Sequence, residues 1–262
     1  MSSSHLERPR EHGDAESGGR RLTPRICFLH IPKCGGTTIH RALRQHYSAD
    51  EQIKMSGRET VAAARETGTP LMDYRREQLP SMLSTEGCRY VAGHIPFCRA
   101  THQNFRADWR FITILREPVS RWLSQYFYNR YKTAGRLRTK LDLSTYVARA
   151  RRSKAYSGML ADVSRFQFWK DPANAAIETL EKLDVVGCLE RLDDFKRDVE
   201  ALLGAELDVG HERRNPLPAE EQQRMVTPEI RRRVEELCAG DKKIYAHALG
   251  MVDRRRARGS VS

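Results

Sequence analysis

The stretch from Arg25 to Thr38, RICFLHIPKCGGTT, constrains the fold of this chain more than any other. Arg25–Ile31 is an apolar run rich in β-formers and predicts a buried strand. Pro32, Lys33 and Cys34 then lead into Gly35 and Gly36, and from Thr37 to about Tyr47 the pattern is helical. Paired glycines let a backbone turn tightly and approach a ligand closely. The free N–H groups and dipole of the helix that follows favour a phosphate or sulfate. The hydroxyls of Thr37 and Thr38 can donate to the same oxygens, and Lys33 adds a full positive charge beside the loop.

Further strands are expected at Tyr90–Ile95, Trp109–Leu115 and Asp184–Leu189. Helical patterns cover Ser144–Arg152, Asn174–Leu183, Leu192–Leu203 and Pro228–Leu249, and another helix should begin near Pro118 and run to about Tyr131. Strands alternating with helices predict an α/β fold, a P-loop-like three-layer α/β/α arrangement around a central parallel sheet. Met1–Pro24 has few apolar residues and many Ser, Gly and charged ones, and reads as a disordered tail. The folded domain is expected over 25–250, with a basic tail over 251–262.

Composition narrows the function. The chain of 262 residues carries a net charge of +12, of which the last twelve residues hold +3 and Met1–Pro24 none, leaving about +9 on the body. Such a body suits an anionic ligand or partner. No apolar run is long enough to span a membrane, and Met1–Pro24 lacks the apolar core of a secretory signal, so a cytoplasmic protein is expected. The six cysteines include no Cys-x-x-Cys pair, and His94 with Cys98 lacks two further ligands, so no metal site is expected. Reduced thiols fit the same compartment.

A second motif repeats the anion theme. The strand Trp109–Leu115 ends at Arg116, and Glu117-Pro118 opens a helix that carries Ser124. An arginine at the carboxyl end of a strand in an open α/β sheet points to where such sheets bind ligands, and its planar fork suits a phosphate. Trp122, Leu123, Tyr126 and Phe127 are expected to pack against the sheet, and His30 to lie in the core.

The first loop is not a nucleotide-binding Walker A sequence, because Lys33 precedes both glycines. A Mg²⁺-nucleotide kinase-like enzyme stands as an alternative that this order argues against, and a non-catalytic polyanion-binding protein as another.

With both motifs present, the chain resembles the sulfotransferases that use 3′-phosphoadenosine 5′-phosphosulfate (PAPS), in particular the carbohydrate branch related to heparan sulfate 2-O-sulfotransferases and its bacterial relatives. Pro32-Lys-x-Gly-Gly-Thr-Thr38 is similar to the family's 5′-phosphosulfate loop, and Leu115-Arg-Glu-Pro-x-x-Arg-x-x-Ser124 to its 3′-phosphate motif. The resemblance implies that Lys33 contacts the 5′-phosphate and the bridging oxygen. It implies that Cys34, Gly35, Gly36, Thr37 and Thr38 cradle the phosphosulfate, and that Arg116 and Ser124 bind the 3′-phosphate. Gly93-His94 resembles the Gly-His of the 2-O-sulfotransferases, which makes His94 the general base. Those relatives often carry another histidine two positions earlier, where this chain has Ala92. His211–Pro216 resembles a loop that closes over the nucleotide, with Arg213 and Arg214 as binding candidates. The implied partner is a hydroxyl-bearing carbohydrate, not a nucleic acid. The implied cosubstrate is PAPS, leaving 3′,5′-ADP without a metal.

Overall fold

A computed structural model describes residues 23–133, 137–162, 171–210 and 217–259. Five strands form one sheet: β1 (Arg25–Leu29), β2 (Gln52–Lys54), β3 (Tyr90–Gly93), β4 (Trp109–Leu115) and β5 (Val185–Cys188). Between β1 and β4 lie α1 (Gly36–Arg44), α2 (Gly57–Glu66), α3 (Leu71–Ser84) and α4 (Arg99–Phe105). α5 (Pro118–Tyr131), α6 (Leu143–Arg149), α7 (Ser157–Leu160) and α8 (Pro172–Leu180) precede β5. α9 (Leu192–Leu203), α10 (Ala219–Met225), α11 (Pro228–Leu237) and α12 (Ala239–Gly259) follow it.

The strand order is β2-β3-β1-β4-β5, and every pairing is parallel. Successive side chains of a strand point to opposite faces. All residues of β3 and β5 are buried, as are nearly all of β1 and β4, so helices cover both faces of the sheet. This is the expected three-layer α/β/α arrangement. Because all strands run the same way, the segments after β1, β3, β4 and β5 emerge at one carboxyl edge. β1 lies centrally, between β3 and β4. The chain leaves β1 toward β2 on one side and returns across it from β3 to β4. That reversal of direction is where open α/β sheets bind ligands.

Several elements differ from expectation. β2 has only three residues, Gln-Ile-Lys, at the sheet edge, too short and polar for a periodic signal. The helix expected over Pro228–Leu249 is two, broken at Cys238, and the second continues to Gly259. Met251 and Val252 are buried and carry the apolar stripe onward, so Arg254, Arg255 and Arg256 lie on a packed helix. Trp122, Leu123, Tyr126 and Phe127 do not face the sheet. They form a separate apolar cluster with Leu143, Val147, Val234 and Leu237, from α6 and α11. The apolar pattern of α5 shows that a face is buried but not against which partner.

Gly187, in the middle of β5, marks the tightest contact of sheet with helix. A Cβ there would lie 2.3 Å from Cδ2 of Phe195 on α9. Gly187→Ala should lower the unfolding free energy by about 1–3 kcal/mol, the usual cost of overpacking a core. Urea denaturation checks this, and an unchanged midpoint would show that α9 can shift away from the sheet.

Candidate functional site

β1 delivers the chain to Lys33, whose φ of 69° is left-handed, a strained conformation for a residue with a side chain. Gly35 continues in the same region with φ 74° and is the N-cap of α1. Gly36 has no room for a side chain, since a Cβ would fall 2.0 Å from the His30 ring. No side chain caps α1, and no acid lies in its first turn. Its leading amides and the positive end of its dipole are thus left for a ligand. Thr37 is exposed and Thr38 half-buried beside them. Cys34 is different: its thiol is fully buried, and burial pushes its pKa up to about 12. The buried thiol thus stays protonated and faces the Pro32 carbonyl at 3.8 Å.

The second motif reaches the same loop. The Arg116 guanidinium approaches the Lys33 carbonyl at 3.5 Å. The Arg116 backbone is held by the buried Tyr156 hydroxyl, which accepts from the Arg116 N–H at 3.2 Å and donates to its carbonyl. Tyr156 was not singled out from sequence, since nothing marks a tyrosine forty residues away as the anchor of Arg116. Ser124 is buried in the second turn of α5. The amides of α5, unlike those of α1, are occupied. The Glu117 carboxylate accepts from the N–H groups of Val119 and Ser120 at 3.0 and 2.7 Å. An anion beside α5 must therefore be held by side chains.

The ammonium of Lys33 rests 4.0 Å from the centroid of the exposed Tyr128 ring, a cation–π contact. Its pKa is pushed down to about 8, first by burial and then by Arg116, Arg121 and Lys132. Among the described residues, none of Lys33, Arg116 or Arg121 forms an ion pair. Positive charge is concentrated here without a direct ion-pair partner among the described residues.

His94 follows β3 at the same edge. Its Nδ1 lies 2.7 Å from the His30 carbonyl. A carbonyl only accepts, so Nδ1 carries the proton and Nε2 keeps its lone pair. Burial holds the His94 pKa below the usual histidine value, against the upward pull of that hydrogen bond, with Arg75 and Lys54 lowering it further. His30, expected in the core, is only partly buried. Its ring packs between Gly36 and His94, 4.4 Å from the His94 ring centroid, and burial pushes its pKa down to about 3. His40 lies away from the loop, its Nδ1 2.8 Å from the Tyr90 hydroxyl. Arg213 and Arg214 lie outside the described residues.

Among the described residues no group of three or more His, Cys, Asp or Glu side chains is placed to hold a metal, and no helix is long and apolar enough to cross a membrane.

No family model matches the sequence, and no curated protein matches it. Among solved structures, the mouse sulfotransferase SULT7A1 complexed with PAP superposes with a TM-score of 0.50 at 13% identity, over 90% of this chain and 89% of that one. The chain shares its parallel α/β fold with that sulfotransferase. A gluconokinase from Sinorhizobium meliloti 1021 aligns with a TM-score of 0.32 at 13% identity, over 71% of this chain and 94% of that one, too slight a likeness to bear on either fold or chemistry. What this fold does here rests on the side chains at its carboxyl edge.

Lys33 gives that edge a pH dependence. Free Lys33 loses its proton above about pH 8, whereas an anion in the loop favours the protonated form. Affinity for sulfate, whose own charge is constant in this range, should fall as pH rises from 7 to 9.5. Lys33→Arg should flatten the profile. Calorimetric titration across that range checks this, and a flat wild-type profile would place Lys33 outside the anion's reach.

Proposed function

We propose that this protein is a sulfotransferase that moves a sulfuryl group from PAPS to an acceptor hydroxyl. The observation that carries the reading is the meeting of its two phosphate motifs: the Arg116 guanidinium reaches the Lys33 carbonyl, 83 positions away in sequence. One ligand with anionic groups at both ends suits such a site, and the likeness of fold to a sulfotransferase complexed with PAP supports that choice. The Lys33–Thr38 loop then holds the 5′-phosphosulfate, and Arg116 with Ser124 holds the 3′-phosphate. Arg213 and Arg214 are taken as further nucleotide-binding residues, and the domain as running from residue 25 through α12.

In the proposed step the acceptor oxygen attacks sulfur. The bond from sulfur to the bridging oxygen breaks, and 3′,5′-ADP leaves. The acceptor proton passes to Nε2 of His94, whose tautomer presents a lone pair there. A lowered pKa keeps that imidazole neutral at pH 7 and ready to accept. Charge growing on the bridging oxygen is met by Lys33 and the uncapped start of α1. The scheme uses no metal. A Mg²⁺-nucleotide kinase reading has less support, because Lys33 precedes the glycines. We take the acceptor to be a carbohydrate, from the likeness of Gly93-His94 to the 2-O-sulfotransferase pattern. We take the compartment to be the cytoplasm, which suits six free cysteines.

Calorimetry with 3′,5′-ADP, ADP and 5′-AMP, without metal, tests the binding site. Wild type should prefer 3′,5′-ADP, and Arg116→Ala should cost about ten- to a hundredfold in affinity, the worth of one charge-assisted contact. Equal, weak and salt-sensitive binding of all three would favour the polyanion-binding alternative. For the base, His94→Gln should leave 3′,5′-ADP binding intact while slowing turnover about 10²–10⁴-fold. Equal loss of binding and turnover would remove His94 from the chemistry.

A further inference from the structure

Among the described residues, two arginines are buried to the same extent and differ in their partners. Arg75 on α3 and Arg121 on α5 are each 6% exposed. Arg75 donates from Nε to the Thr60 hydroxyl at 3.1 Å and from Nη1 to the His94 carbonyl at 3.4 Å. Arg121 forms no ion pair among the described residues, and its buried Nε has no hydrogen-bond partner. A buried cation without a partner is costly, so proteins seldom keep one without a compensating role.

The carboxylates of the neighbourhood do not supply the missing partner. Glu117 is engaged by the amides of Val119 and Ser120. Glu190 accepts from the Glu117 N–H at 2.9 Å and from the Tyr245 hydroxyl at 2.8 Å. Asp241 takes the Ser153 hydroxyl and the Ala155 and Tyr156 amides. Meanwhile Arg121 lies close enough to act electrostatically on both Lys33 and Cys34, the entry of the glycine loop. A guanidinium on α5 is thus held beside a helix start that no side chain caps.

We infer that Arg121 is an anion-binding residue of the glycine loop, and that its missing counter-charge is the phosphate or sulfate group of the ligand held there. This rests on the proposed reading of the loop for its choice of ligand. It gives a role to the second arginine of the Leu115–Ser124 motif, to which neither the 5′ nor the 3′ assignment gave one, and it places that role at the glycine loop rather than at the 3′-phosphate. Arg121 then contributes to affinity while subtracting from the stability of the ligand-free fold. An arginine that merely supports the structure does the opposite.

Thermal unfolding and calorimetry of wild type, Arg121→Met and Arg121→Lys test this, with 3′,5′-ADP and with inorganic pyrophosphate as separate probes. Arg121→Met should unfold at the same temperature as wild type or higher without ligand. It should bind both probes about ten- to a hundredfold more weakly and show a smaller ligand-induced rise in melting temperature. Arg121→Lys, which keeps the charge without the fork, should fall between. If Arg121→Met melts lower while Arg121→Lys binds both probes as wild type does, the inference is overturned. Unchanged affinity in a folded Arg121→Met overturns it equally. If wild type ignores 3′,5′-ADP but binds pyrophosphate in an Arg121-dependent way, the inference stands and the PAPS reading falls. If wild type binds neither, both fall.

Discussion

Mutual repulsion among Lys33, Arg116 and Arg121 is the constraint around which the rest of this site is arranged. Three cations at one sheet edge, none ion-paired among the described residues, repel one another at short range and in partly dry surroundings. The fold has to hold them there against that repulsion. It does so with fixed backbone: Lys33 in a left-handed conformation, Arg116 clasped at both N–H and C=O by Tyr156, and Arg121 locked in the second half of the first turn of α5. The Lys33 ammonium lies on Tyr128, whose ring face gives the cation electrostatic support.

The all-parallel sheet makes this arrangement economical. Each strand ends at the same edge, so residues far apart in sequence meet without long loops. The His30 carbonyl, one residue past β1, receives His94 Nδ1, one residue past β3. The His30 ring in turn fills the space that Gly36 leaves open. The imidazole that bears the free lone pair is therefore positioned relative to the anion loop by a short rigid path: His94, His30, Gly36. No flexible segment intervenes, and preorganisation of that kind is what proton transfer to a fixed base requires.

How much of this was legible in the sequence follows from which signals are local. β1, β4 and β5 show as apolar runs, and Pro118 marks the first turn of α5, because strand burial and helix starts leave one-dimensional traces. The Gly35-Gly36 turn shows for the same reason. Partnership leaves no such trace. The α5 aromatics meet α6 and α11 rather than the sheet, and nothing in their spacing distinguishes the two. β2 carries too few residues to form a pattern. His30 reads as core because the last residue of a buried strand and the first residue of a ligand edge look alike in an alternation pattern. Arg121 stands in the second motif without a role of its own in the sequence, since its burial comes from how α5 is seated and not from any neighbour in the chain.

The two helix starts at this edge divide the work of anion binding. α1 begins uncapped behind two glycines, and backbone amides accept any tetrahedral anion of suitable size. α5 begins under the Glu117 carboxylate, which uses those amides and places negative charge where a second anion would otherwise settle. Had both helix starts been open, the edge would hold two anions with little regard to what joins them. Capping one removes the unselective half. A ligand group near α5 must then satisfy the Arg116 guanidinium, whose backbone is fixed by Tyr156 and whose Nη1 approaches the Lys33 carbonyl. General affinity comes from one end of the site and discrimination from the other. That division suits a cosubstrate whose two anionic ends have to be told apart from those of commoner nucleotides.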